Sequence, residues 1–144
     1  MSKPTRDENI PTYDQPSYGL TRTLSGVSYE QGVARAKDAL EAHGFGVLTE
    51  IDVKATLEKK IDVHTREYII LGACNPELAH RALQAEPGIG LFLPCNVVVS
   101  SNDDGHAVVS AIDPAAMFRV VGRDNIEPIA KEVRDLLEKT LESL

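Results

Sequence analysis

The stretch YIILGACNPELAHRALQAEPGIGLFLPCNVVVSSNDDGHAVVSAIDP, residues 68–114, decides the fold. Tyr68 to Ala73 is apolar at odd and even positions alike, a strand apolar on both faces and therefore central in its sheet. Asn75-Pro76 then starts a helix that runs to about Glu86, where Pro87-Gly88 ends it. Leu91 to Ser100 reads as a second strand interrupted at Pro94, which predicts a bulge or an edge position. The turn Asn102-Asp103-Asp104-Gly105 sends the chain back along Ala107 to Ile112 as a β-hairpin.

Upstream, Tyr18 to Leu24 reads as a strand closed by Ser25-Gly26, and Ser28 is placed to cap a helix over Tyr29 to His43. Tyr29, Val33, Ala36 and Leu40 form its apolar stripe, with Gly44 at the position after the helix end. Phe45 to Ile51 alternates, with Phe45, Val47 and Ile51 assigned to one face, and Asp52 caps a short helix over Val53 to Lys60. Downstream, Asp113-Pro114 opens a short helix over Ala115 to Phe118 that fades before Gly122. From Ile126 to Leu144, Ile129, Val133, Leu136, Leu137, Leu141 and Leu144 make one stripe, so this helix covers a sheet face or a partner.

The expectation is an α+β domain in the order β-α-β-α-β-α-β-β-α-α, with a mixed, mainly antiparallel sheet of about five strands packed against helices. The first 17 residues, with Pro4, Pro11 and Pro16 and no periodicity, read as a flexible arm, and residues 18–144 as a single domain.

At 144 residues the chain has room for one core, and 42% apolar against 26% charged residues is a globular balance. Fifteen basic against 22 acidic side chains give a net charge of -7, which repels nucleic acid and anionic membranes alike. With no Trp and three Phe, there are few platforms on which bases stack. No run approaches the roughly 20 apolar residues of a membrane span. MSKPTRDENIPTYDQPS has no apolar core of a secretory signal, so the expected location is the cytoplasm, where two cysteines remain thiols.

The chemistry-bearing candidates are few. Cys74 ends one strand and Cys95 lies in the next; at the start of the helix near Pro76, Cys74 would feel the positive dipole end and ionise more easily. The pair is thus a candidate for catalysis or redox cycling, with Asn75 and Asn96 holding polar groups; the alternative is two small buried hydrophobes. Lys54, at a strand-to-helix junction, is a third binding candidate beside a surface-lysine reading. Glu50 and Asp52 share a side of their strand and would serve acid/base work only if buried.

His43 fits a helix end, His80 a solvated face, and His64 and His106 the flanks of strands; none has metal-ligand spacing, and no metal or cofactor is expected. Gly88-Ile89-Gly90 lacks the third glycine of a phosphate loop and reads as a turn.

The segments GFGVLTEIDVKATL, YIILGACNPELAHRAL and GLFLPCNVVVS followed by VVSAIDP resemble the bacterial and archaeal family known as domain of unknown function 302, over about Tyr18 to Phe118. The family's recurrent Cys-Asn-Pro and Pro-Cys-Asn segments stand intact at Cys74-Asn75-Pro76 and Pro94-Cys95-Asn96. The resemblance implies an α+β domain, often dimeric, without an established activity. Two functional expectations follow: a homodimeric binding or assembly module, open to a small-molecule ligand, or a thiol-dependent redox or sulfur-handling protein.

Overall fold

The computed structural model describes residues 8–12 and 15–144. Along the chain run β1 (Gly19–Leu24), α1 (Tyr29–Ala42), β2 (Gly46–Asp52), α2 (Val53–Ile61), β3 (Tyr68–Cys74), α3 (Pro76–Ala85), a 3-10 turn (Pro87–Phe92), β4 (Cys95–Ser101), β5 (Ala107–Ile112), α4 (Pro114–Val121) and α5 (Glu127–Glu142). The five strands form one sheet in the order β1-β5-β4-β3-β2, and every neighbouring pair is antiparallel. The α+β class and the element order read from the sequence are borne out.

Each helix begins where the local chemistry allows. Ser28 and Gln31 cap α1 reciprocally, each side chain accepting from the other's backbone N–H at 3.2 Å, which satisfies two amides left over at the helix start. Asp52, Asn75 and Asp113 cap α2, α3 and α4, each accepting an N–H from the first turn. α4 runs to Val121, beyond the Phe118 limit read from the sequence.

One face of the sheet is covered. Leu71, Ala73, Cys95, Val97, Val99, Ala107, Val109 and Ala111 point towards the helices and are buried. The stripe of α5 closes over them through Ile129, Val133, Leu137 and Leu141, with Ala36 and Leu40 of α1 alongside. At 25 cal/mol per Å², each buried leucine contributes about 1.5–3 kcal/mol, so α5 is held by its stripe and not by intrinsic helicity. Gly32 lets α1 approach closely: a Cβ there would stand 2.5 Å from that of Ala107. Arg22 of β1 donates to the carbonyls of Leu141 and Glu142, closing the end of α5.

Three local expectations change. Leu91 to Phe92 belongs to the 3-10 turn, where Ile89 N–H bonds to Glu86 O and buries its side chain; the strand begins only after Pro94. β4 lies inside the sheet, and Pro94, which follows a cis bond, precedes its first paired residue. Ile51 does not share a face with Phe45 and Val47, because a bulge at Leu48 shifts the register between Val47 and Thr49. Beyond it the strand's alternation is reversed.

Candidate functional site

β3 and β4 bring the two cysteine segments to one end of the sheet, with Ala73 paired to Cys95 and Gly72 to Asn96. Directly paired residues share a face, so Cys95 follows Ala73 to the helix side, while strand alternation sends Cys74 to the other. Both cysteines are free. Burial pushes the Cys95 thiol up to about 11, with the neighbouring Cys74 adding to the shift. Burial raises Cys74 as well, in the direction opposite to the dipole-lowered thiol expected from its place before α3.

The remaining candidates have identifiable work. Asn75 spends its carboxamide oxygen on Leu78 N–H at 3.0 Å as the cap of α3. Lys54 stands in the first turn of α2, at the far end of β3, roughly 20 Å of strand from Cys74; there it counters Glu67, whose carboxyl is raised by burial and by Glu30. Tyr29 in the same corner is pushed up to about 12 by burial and by Asp52. Glu50 and Asp52 do share the helix side, but Glu50 is ion-paired to Lys37 and Asp52 caps Ala55 N–H. His43 Nδ1 bonds to Ala39 O at 2.8 Å, and His106 Nδ1 accepts from Gly26 N–H. Among the described residues, no group of three or more His, Cys, Asp or Glu is arranged to hold a metal ion.

Asn96 leads to the larger feature. It is exposed on the face of the sheet that no helix covers. Across that face one row runs Ile51, Ile70, Val98, Ser110, Thr21, each paired to the next. A parallel row holds Tyr68, Ser100, Val108 and Thr23, and another Thr49, Gly72 and Asn96, with Gly19 opposite Ile112. Among the described strand residues on this face, none is charged, in a chain where 26% of residues are. A solvated antiparallel face ordinarily carries charged and polar side chains between the buried ones.

Its polar groups are neutral, and Thr21 and Ser110 satisfy each other at 2.7 Å. A groove of about 230 Å³ runs along it between Tyr18, Tyr68, Asn96, Val98, Ser110 and Ile112. Gly72 is required here by crowding: a Cβ would stand 2.1 Å from Thr49 Oγ1 and 2.8 Å from Pro94 Cγ. Sequence reasoning picked out Asn96 but missed the face, since its members are scattered from Gly19 to Ile112; the signal was the run of uncharged alternate positions in all five strands.

Residues 20–144 match the family described as "Domain of unknown function DUF302", a span that carries the likeness through α5. The chain is also similar to a solved structure, the crystal structure of an uncharacterized conserved protein DUF302 from Bacillus stearothermophilus. That chain is 26% identical, with a TM-score of 0.82 over 89% of this chain and 98% of the other. No curated protein matches the chain. No helix among the described residues is long and apolar enough to cross a membrane.

Proposed function

This chain belongs to the DUF302 family, and we propose that it is a non-enzymatic, homodimeric binding or assembly module in which a second copy sits on the uncharged sheet face. The observation that carries this reading is the row Ile51, Ile70, Val98, Ser110, Thr21 with its uncharged neighbours. Two molecules of charge -7 repel wherever their acidic surfaces meet. On this face they approach without burying a charge, and β-branched side chains lose water instead.

The area is adequate. Five strands about 4.8 Å apart, each of six or seven residues rising about 3.3 Å, give roughly 500 Å² per copy, so two faces bury on the order of 1,000 Å², where specific interfaces begin. The groove beside Tyr18 and Tyr68 offers a small neutral ligand a place on the same surface. The reading keeps the protein in the cytoplasm, where Cys74 and Cys95 stay reduced. The thiol-based alternative has no comparable support: both thiols are raised, and alternation points them to opposite faces.

The test is the mass in solution. We expect twice the 15.7 kDa of one chain, and a Val98→Asp variant with unchanged circular dichroism that returns to 15.7 kDa. A native protein that stays at the single-chain mass at every concentration overturns the reading.

A further inference from the structure

The uncharged face is not bare along its whole length. At the hairpin end, Ser100 and Val108 are 2% and 5% exposed although they point away from the helices. Beside them lies the chain's own N-terminal segment. Ile10 N–H donates to Thr65 Oγ1 at 2.7 Å, Thr65 Oγ1 donates to Asn9 Oδ1 at 2.9 Å, and the same oxygen accepts Arg66 N–H.

Arg66 is the centre of this arrangement. Its Nε donates to Ile10 O, while its two terminal nitrogens donate to Ser101 O and to Asp103 Oδ1, each at 2.9 Å. One side chain, only 11% exposed, thereby joins the N-terminal segment to the β4–β5 hairpin. From this anchor, Thr12 and Gln15 stand across a cavity of about 650 Å³ from Thr21, Thr23 and Val108 of the face. Hydrogen bonds made by a shielded guanidinium are directional and strong, so a segment held by them lies in one place.

We infer that residues 8–12 are an intramolecular competitor for the second copy, a strap that Arg66 holds over the hairpin end of the uncharged face. The inference rests on the reading above, since a competitor needs something to compete with. Each chain must release its strap before the whole face is available, so the dimer's apparent affinity is lowered by the fraction of chains released. Arg66 suits the task because its fork reaches both sides of the gap at once; a lysine brings the charge without the geometry.

Sedimentation equilibrium of the full chain, a chain lacking residues 2–12, and the variants Arg66→Ala, Arg66→Lys and Asn9→Ala tests this. Removing the segment is expected to tighten self-association roughly tenfold or more. Arg66→Ala should act in the same direction, with Arg66→Lys between it and the native chain. Asn9→Ala removes the segment's side-chain acceptor without touching the bonds from Arg66 to the hairpin, so it reports on the strap should Arg66→Ala unfold. Adding Val98→Asp to the shortened chain should abolish the gain. An affinity that changes by less than about twofold, that weakens, or that survives Val98→Asp overturns the strap. If the intact chain remains single at every concentration, the dimer reading falls and the strap with it; if the intact chain dimerises through Val98 and shortening does not tighten it, the strap alone falls.

Discussion

On one side of the sheet Leu71, Val97, Val99 and Val109 lie under α1 and α5; one residue along each strand, Ile70, Val98 and Ser110 meet no helix. The two sets differ little in composition, since both are uncharged and rich in β-branched residues. They differ in what completes them. On the first side the chain supplies its own cover within the same 144 residues, and the cost of solvating those side chains is removed on folding. On the second the cover is partial, a short segment tied down by polar bonds at one end. Apolar strand residues that folding leaves half-wet identify where a further contact is worth having.

The comparison breaks first at its best-buried position. Leu71→Ala, at 0% exposure, is expected to cost about 2–5 kcal/mol in denaturant unfolding, because the packed helix side cannot collapse around the space left behind. A loss below about 1 kcal/mol would mean that the helix side is as loosely completed as the other.

Gly72→Ala places a methyl on the open face, against Thr49 and Pro94, and should cost about 1–3 kcal/mol. Thr49 can rotate away but the proline ring cannot. If the variant is as stable as the native chain, the strands on this side are less tightly set than the packing indicates.

Alkaline pH acts on the helix side through Cys95. Cys95 is buried and its thiol is raised from 9.0 to about 11, so above pH 9 the unfolded chain loses its proton while the folded chain keeps it. Its stabilising contribution is therefore complete below about pH 9 and is lost as pH rises towards 11, roughly 1 kcal/mol by pH 10. Unfolding midpoints at pH 8, 9 and 10 should fall in that order, and Cys95→Ala should flatten the slope; an unchanged slope in the variant would assign the alkaline loss to Tyr29 and other groups.

The smallest effect belongs to the open side. Val98→Asp should shift unfolding of the isolated chain by no more than about 1 kcal/mol, since the side chain is already half-exposed. A larger loss would show that this face has structural work within a single chain.

Much of the architecture was legible from local patterns. α5 was readable because Ile129, Val133, Leu137 and Leu141 repeat at helical spacing, and the hairpin because Asn102 to Gly105 is turn chemistry. What stayed hidden depends on pairing. The bulge at Leu48 leaves no mark in a strand that alternates well on paper, and the strand order that lines up Ile51 with Thr21 joins residues 30 positions apart through three intervening strands. The candidate site was legible only in part: Asn96 was picked out, but Asn75 proved to be occupied as a cap, and the cysteines were chosen for chemistry that burial opposes.

Leu48 has one last consequence. A strand is read two residues at a time, and the additional residue makes β2 a message in two frames: Val47 is spoken to the helices, then Thr49 and Ile51 to the opposite side, with Glu50 turned inward to Lys37. Were that single residue paired in step instead of bulged out, one frame would be restored and the meaning of everything after it inverted. Ile51 would turn beneath the helices, and the Glu50 carboxylate would surface on the side where none of the described strand residues is charged.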